Sequence, residues 1–265
     1  MKKLILSLLV AVGLIGSGYG QILTGDLTNG LVSYYSFNGN ANDSFGGNNG
    51  TPLNIFSTSN QFGAADGAYY FNGSNSAISG AQNPILDNFT FSAWVSPTSA
   101  IANISEQSSG TQYLSGYGQI NNPYWSYNNS GIGVCAGTNG IVVFEYANQF
   151  VAPVIVYNQD LVNGWYNICV SVSNNGSPNL YVNGNLAAVG LSTGREKIFT
   201  LFDMTGRSDT AFSGAIDDIG IWNTALTSSQ VSQLYAIQSV PEPSTYVLLG
   251  LGLATLLAVR RKRLC

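Results

Sequence analysis

Apolar and polar residues alternate in short runs along most of the chain, which is the pattern of half-buried β-strands. These runs cover 31–37, 68–71, 77–78, 89–95, 165–173, 180–182, 186–189 and 212–222. Asn183 and Gly184 separate two of the runs. Asn-Gly at such a position predicts a hairpin, because both turn residues must take positive φ. We therefore predict many short strands joined by tight turns.

One helix is predicted near the end of this region. Residues 227–230 read Thr-Ser-Ser-Gln, a capping box in which Thr227 and Gln230 bond each other's backbone. Apolar residues then share one face: Val231, Leu234 and Tyr235. The alternative is a polar turn leading to the C-terminal segment. Gly and Asn interrupt 98–159 constantly, so this segment is the least clear, although 131–135 resemble a strand. Without a βαβ alternation, the pattern favours an all-β, antiparallel sandwich.

Charge limits the classes of partner. Residues 21–239 hold twelve acids and three bases, so their net charge is 3 − 12 = −9. The bases are Arg195, Lys197 and Arg207. Nucleic acids and anionic membrane surfaces need clustered Lys and Arg, so the charge argues against both as partners. The chain has no histidine, which excludes serine–histidine and cysteine–histidine catalysis and histidine-ligated zinc.

The N-terminus has the pattern of an export signal. Lys2 and Lys3 precede the apolar run 4–15, and 18–20 read Gly-Tyr-Gly. A basic start, a short apolar segment and small residues are the parts of a secretory signal peptide. We predict a signal peptide over 1–20 and a mature chain from Gln21.

The C-terminus has three parts in a fixed order. Residues 240–245 read Val-Pro-Glu-Pro-Ser-Thr, 246–259 are largely apolar and 260–263 are four cations. The 14 apolar residues are fewer than the ~20 of a comfortable membrane span. Cations after such a span favour the cytoplasmic side. A buried core helix with a basic end is the alternative interpretation.

This tail resembles the PEP-CTERM sorting signal, with Pro241, Glu242 and Pro243 as the sorting motif. The resemblance implies recognition and cleavage by an exosortase as the processing partner. It also implies a transient inner-membrane anchor, through a short C-terminal transmembrane helix with its end in the cytoplasm. The domain at 21–239 would then work in the cell envelope or outside the cell.

Several blocks resemble the LamG-like jelly roll of the concanavalin A-like lectin/glucanase superfamily. They follow the family order at 34–44, 71–76, 91–95, 164–167, 180–184, 212–223, 225–226 and 234–235. The first reads Tyr-Tyr-Ser-Phe-Asn-Gly-Asn-Ala-Asn-Asp-Ser, and 212–217 read Phe-Ser-Gly-Ala-Ile-Asp. The resemblance implies an antiparallel jelly-roll β-sandwich over 21–239. The family often has a histidine where this chain has Asn167, so any role of that histidine is absent.

The resemblance also implies a structural calcium ion, shared by Asp43 and one carboxylate of the pair Asp217 and Asp218. Backbone carbonyls near Asn48 and Gly50 would complete the ligands. Hard oxygen ligands on a turn suit calcium. The alternative is that Asp43 caps its own loop. Asp217 shares strand parity with Ala215, Ile219 and Ile221, so we expect it to point inward, where a carboxylate needs a metal or backbone amides.

Glycosidase chemistry has weak support. Glucanases of this superfamily work through two carboxylates that face each other across a cleft. Their usual sequence signature is three acids close together on one strand, and this chain has no such group. Glu106 and Glu145 are isolated in the sequence, and Asp217 and Asp218 are expected on opposite faces of a strand. We predict no catalytic residues. A glycoside hydrolase or polysaccharide lyase is the alternative.

A polar segment rich in aromatic residues is the candidate ligand surface. It contains Tyr113, Tyr117, Tyr124, Trp125 and Tyr127, with Asn121, Asn122, Asn128 and Asn129 among them. Exposed aromatics with amide neighbours suit sugar binding. We assign ligand binding to Tyr117, Tyr124, Trp125 and Tyr127. The alternative is that the aromatics fill the core and the amides form turns.

Two cysteines fall within the predicted domain, at Cys135 and Cys169. Disulfides persist in an oxidising compartment, but two buried thiols fit the sequence equally well. Taken together, these features predict an exported, non-enzymatic module that binds a glycan or a surface protein. A purely structural envelope protein is a further alternative.

Overall fold

The computed structural model describes residues 23–80, 84–101, 118–121, 123, 129–147, 150–200, 203–204 and 211–240. The signal peptide, the sorting motif at Pro241, Glu242 and Pro243, and the apolar span after it lie outside these residues. No helix within the described part is long and apolar enough to cross a membrane.

Sixteen strands and one α-helix are present in the described part. The first eight strands are β1 Leu31–Tyr35, β2 Thr51–Leu53, β3 Phe56–Thr58, β4 Ala68–Asn72, β5 Ala77–Ser79, β6 Pro84–Leu86, β7 Phe89–Pro97 and β8 Asn129–Gly137. The others are β9 Gly140–Tyr146, β10 Phe150–Tyr157, β11 Tyr166–Val172, β12 Asn179–Val182, β13 Asn185–Val189, β14 Glu196–Thr200, β15 Asp203–Met204 and β16 Ser213–Trp222. The helix α1 is Ser228–Gln238, and a short 3-10 helix, Gly25–Thr28, precedes β1.

The strands form two main sheets and one small sheet. The large sheet has the order β13-β12-β11-β7-β16-β4-β3, and β1 also pairs with β16. The second sheet has the order β10-β9-β8-β14-β6, and the small one β15-β5-β2. Pairing is antiparallel except between β14 and β8, a parallel contact that the strand pattern did not predict.

Local signals in the sequence are confirmed. Asn183 and Gly184 connect β12 and β13 with φ angles of 49° and 75°. The capping box at α1 is complete, with both Thr227 and Gln230 bonding to backbone. The segment 98–159, which had no clear pattern, contributes β8, β9 and β10 to the second sheet.

The core has three apolar clusters. The largest lies between the two main sheets and includes Phe91 and Ile216 on one side and Val143 on the other. A second cluster lies where α1 and the 3-10 helix cover the outer face of the large sheet. There the indole N–H of Trp222 donates to the carbonyl of Leu27 at 2.7 Å. The third lies on the outer face of the second sheet.

Candidate functional site

The acidic pair of β16 lies at a bulge. Asp217 pairs with Trp94, and the register then shifts before Gly220, while Asp218 takes a φ of 46°. The extra residue breaks the alternation of the strand. Ile219 and Ile221 face the main core, whereas Asp217 lies on the outer face with its cross-strand partner Trp94. The predicted parity of Asp217 with these isoleucines is therefore wrong, although the residue is buried.

Two strands meet end to end beside this bulge. β1 pairs with 219–222 of β16, and β4 pairs with 213–216 along the same edge. Asp217 and Asp218 lie at the break between them. Gln61, from the loop before β4, reaches into the break and donates to Asp218 Oδ2 at 3.4 Å. Its own amide oxygen is buried without a hydrogen-bond partner among the described residues.

A buried hydrogen-bond network connects this pair to α1. The hydroxyl of Tyr34 donates to Asp218 Oδ1 at 2.7 Å and accepts from Gln238 Nε2 at 3.2 Å. Gln238, the last residue of α1, also accepts from Trp94 Nε1 at 3.1 Å and from Asn167 Nδ2 at 3.3 Å. The network therefore holds the end of the helix against the sheet. Asn167 takes part in it through its side-chain amide, as a donor to Gln238.

Burial changes the acid–base properties of this network. It is the main cause that raises the pKa of Asp217 well above its ordinary value, followed by the charge of Asp218, while the Asp218 backbone N–H lowers it in part. That N–H donates to Asp217 Oδ1 at 2.8 Å. Burial, then the charge of Asp218, also raise the pKa of Tyr34. Tyr34 is thus a phenol at neutral pH and serves as a donor.

Asp43 lies in a cradle of backbone amides. Its Oδ1 accepts from the N–H groups of Tyr34, Phe45 and Gly46 at 2.9, 3.0 and 3.0 Å, and its Oδ2 accepts from Asn48 at 3.0 Å. Gly46 has to lack a side chain, because a Cβ there would lie 2.0 Å from the Val32 carbonyl. Burial raises the pKa of Asp43, but these backbone hydrogen bonds outweigh it and lower the pKa.

The arrangement does not favour a calcium ion shared by Asp43 and the β16 pair. Asp43 accepts a hydrogen bond from the backbone N–H of Tyr34, whereas Asp218 accepts one from the hydroxyl of the same tyrosine. The two carboxylates are therefore separated by the length of a tyrosine side chain. Calcium ligands lie within ~2.3–2.6 Å of the ion. The oxygens of Asp43 are already directed at N–H groups. Within the described ranges, no group of three or more His, Cys, Asp or Glu side chains could hold a metal.

Glu145 belongs to a second buried charge cluster. It is fully buried on β9, and both its oxygens accept from Thr193 Oγ1 at 2.8 Å. Lys197 Nζ lies 3.5 Å from Oε1 and is also fully buried, and Arg195 Nη1 lies 3.4 Å from Oε2. The Lys197 ammonium also donates to the carbonyl of Asn175 at 2.8 Å. Glu145 looks isolated in the sequence, but the fold surrounds it with donors.

The four predicted ligand-binding aromatics, Tyr117, Tyr124, Trp125 and Tyr127, lie outside the described residues, as does Glu106. Residues between them are held on β8. The amide of Ile120 donates to the Val134 carbonyl at 2.8 Å. The side chain of Asn121 donates to the Ile132 carbonyl and accepts from the Val134 N–H, both at 2.8 Å. Asn121, one of the amides in the candidate sugar-binding segment, is thus buried and bonded to a strand.

The two cysteines of the described part are free and buried. Cys135 belongs to the apolar cluster outside the second sheet, whereas Cys169 belongs to the cluster beneath α1. Burial is the cause that raises the pKa of both thiols. Of the two interpretations of the sequence, the structure therefore has the pair of buried thiols.

Known proteins resemble this chain in sequence and in fold. A profile of the concanavalin A-like lectin/glucanases superfamily matches residues 66–232, and the PEP-CTERM protein-sorting motif matches 239–263. That motif implies export, sorting to the cell envelope and processing by an exosortase. No curated protein matches the chain.

Solved structures share the fold at low identity. Domain 4 of AbnA, an extracellular arabinanase of family GH43 from Geobacillus stearothermophilus solved with arabinotriose, is 23% identical with a TM-score of 0.51, over 77% of this chain and 98% of that one. The ligand-binding domain of botulinum neurotoxin serotype D, solved with N-acetylneuraminic acid, is 17% identical with a TM-score of 0.58, over 78% and 50%. The serotype G binding domain is 22% identical with a TM-score of 0.51, over 79% and 51%. The chain thus spans about half of these toxin domains.

Proposed function

Since the chain belongs to the concanavalin A-like lectin/glucanase superfamily, we propose that it is an exported binding module without enzymatic activity. Its ligand is a glycan of the cell surface or extracellular matrix. Domain 4 of an arabinanase has been solved with arabinotriose, and the ligand-binding domain of a neurotoxin with N-acetylneuraminic acid. At these identities the likeness shows the fold, so the ligand class is carried over as a proposal.

The burial of the sheet carboxylates is the observation that carries the non-enzymatic proposal. Glu145, Asp217 and Asp218 are each at most 5% exposed. Each also bonds to another residue of the protein. A glycosidase needs two carboxyl groups that reach a glycosidic bond from either side. These three side chains are buried and do not face solvent.

The aromatic segment around Tyr117, Tyr124, Trp125 and Tyr127 is the proposed ligand surface. Ile120 and Asn121 fasten the middle of this segment to β8. A rigid sheet that presents a loop rich in aromatic and amide side chains is a common design for recognition. The four aromatics supply apolar faces for sugar rings, and the neighbouring asparagines supply donors and acceptors.

Calcium remains a proposal for the β16 pair. Asp217 and Asp218 are adjacent buried acids, and the described residues place the unpaired amide oxygen of Gln61 beside them. A divalent cation there would neutralise the pair, with further oxygens from backbone or water. Asp43 would then stabilise its own loop. A melting curve of the protein with calcium and with chelator tests this, and identical melting temperatures would remove calcium from the proposal.

The predicted route to the envelope completes the function. We propose that the C-terminal segment anchors the protein in the inner membrane until an exosortase cleaves near Pro241, Glu242 and Pro243. Glu242→Ala should retain the full-length form in membranes. Mass measurement of the mature C-terminus in the wild-type strain is the direct check.

Binding to a polysaccharide panel, measured together with reducing-end release, tests the binding function. We expect retention on at least one glycan, loss of retention in Trp125→Ala, and no release of sugar ends. Release that disappears when one pair of acids is replaced would establish a glycosidase instead. Intact folded protein that binds no glycan would point to a structural envelope protein.

A further inference from the structure

We infer that the glycan recognised by this domain is uncharged, rather than a sialylated, uronic or sulfated polymer. The inference rests on the proposed glycan-binding function and narrows its ligand class. It is carried by the positions of the cations in the fold.

The exported part of the chain has very few positive charges. Residues 21–239 contain three bases against twelve acids, a net charge of 3 − 12 = −9. Carboxylate and sulfate groups on a ligand are bound by Arg in a bidentate manner or by Lys as a point charge. Recognition of an anionic glycan by side-chain charge therefore depends on Arg195, Lys197 or Arg207.

Two of these three cations lie beside the carboxylate of Glu145. The side chain of Lys197 is fully buried, 3.5 Å from Glu145, and that of Arg195 is 38% exposed, 3.4 Å from the same carboxylate. The Lys197 ammonium also donates to the carbonyls of Asn175 and Arg195 at 2.8 and 3.2 Å. Lys197 is not available to a ligand without breaking a buried pair, and the partly exposed charge of Arg195 is offset by Glu145. Arg207 lies outside the described residues.

The exposed charged side chains of the described residues are mostly acidic. Asp26, Asp66 and Asp160 are exposed, and the N-terminus of α1 is occupied by its own capping box. Exposed charges act over a Debye length of about 8–10 Å at physiological salt. A polyanion approaching the domain thus meets net repulsion. Uncharged sugars carry no such penalty and bind through ring stacking and through amides and hydroxyls.

The test compares glycans of matched size and different charge. The exported protein is titrated with neutral oligosaccharides and with sialylated, uronic and sulfated ones, from about 20 mM to about 500 mM salt, with calcium or with EDTA. We expect binding only to neutral members, with a dissociation constant that changes less than about twofold over this range. Counterion release would give an anionic ligand a strong salt dependence instead.

The possible outcomes distinguish a failure of this inference from a failure of the proposed glycan-binding function. Binding of an anionic glycan that weakens with salt and disappears in Arg207→Gln would overturn the inference and leave glycan binding intact. Anionic binding that requires calcium would also overturn it, with the metal as the bridging charge. Folded protein without affinity for any member of the panel would defeat the proposed function itself. Arg195→Gln is the matched control, expected to bind as the wild type does.

Discussion

The two main sheets bury acids in different ways. In the second sheet, Glu145 is surrounded by Lys197, Arg195 and Thr193, so every oxygen of the carboxylate meets a donor. In the large sheet, Asp217 and Asp218 lie side by side, and among the described residues the Asp217 carboxylate accepts one hydrogen bond, from the backbone N–H of Asp218 at 2.8 Å. Cations of the chain balance the acid of the second sheet, whereas in the large sheet two buried acids are adjacent and the pKa of Asp217 is raised.

This difference separates a structural site from a responsive one. A buried ion pair with satisfied hydrogen bonds is neutral as a unit and changes little with conditions, although removing one partner is costly. Two adjacent acids lower their free energy by binding a proton or a cation. The pair at β16 is therefore where pH and divalent ions should act, and because Gln238 connects it to α1, the helix should respond as well.

The largest effect should come from breaking the balanced site. Lys197→Met leaves Glu145 buried with less compensation and should lower the free energy of unfolding by about 3–5 kcal/mol, measured by denaturant unfolding. Arg195→Gln is the control, since its partly exposed pair should contribute less than about 1 kcal/mol. Replacing Lys197 and Glu145 together, by Met and Leu, should recover much of the loss. Equal stability of Lys197→Met and wild type would show that the cluster is not an energetic unit.

Asp43 provides an intermediate case, because backbone amides compensate its charge. Asp43→Ala removes the acceptor of four backbone N–H groups and should cost about 2–3 kcal/mol. Folding lowers the pKa of Asp43, so its contribution is present above the ordinary value of 3.8 and is lost as pH falls below it toward the lowered pKa. The stability difference between wild type and variant should therefore shrink in acid. The control is Asp26→Ala, at an exposed site, which should cost less than about 0.5 kcal/mol at neutral pH.

Tyr34→Phe tests the connection between the acidic pair and the helix. The variant removes the donor to Asp218 and the acceptor of Gln238, which should cost about 1–2 kcal/mol. Hydrogen exchange should rise most in the last turn of α1, since that turn depends on Gln238. The matched control is Tyr235→Phe, because its ring stacks on Trp94 and phenylalanine keeps that contact. Uniform exchange across the domain would show that the network does not hold the helix.

The sequence predicted what depends on near neighbours. The turn at Asn183 and the cap at Thr227 follow from residues within three positions of each other, and alternation found most strands of the large sheet. The cluster around Glu145 could not be found this way, because its partners lie about 50 residues away and meet only through strand pairing.

The face of Asp217 was predicted incorrectly for a physical reason. Strand parity holds only for regular pairing, and a bulge inserts one residue without a sequence marker as clear as Asn-Gly. The φ of 46° at Asp218 would more often select glycine or asparagine. Aspartate is tolerated there, and its side chain accepts the bond from Tyr34. Parity therefore failed at the position where the acidic pair forms.

The smallest expected effect is that of Asp217→Asn, which should raise the free energy of unfolding, whereas the substitutions above lower it. Folding raises the pKa of Asp217, so between the ordinary value of 3.8 and the raised value the folded protein binds more protons than the unfolded chain. Stability should then fall as pH rises through that window.

Asp217→Asn keeps the acceptor for the Asp218 N–H and removes the charge, so it should stabilise the protein at neutral pH by on the order of 1 kcal/mol in chelator. Its advantage over wild type should disappear below about pH 4. The control is Asp160→Asn, at an exposed site, which should change the free energy of unfolding at neutral pH by less than about 0.5 kcal/mol. In calcium the sign should reverse if the ion binds the pair, because the variant loses a ligand. A variant that is less stable than wild type in chelator at neutral pH would show that the acids of β16 are compensated as fully as Glu145 is.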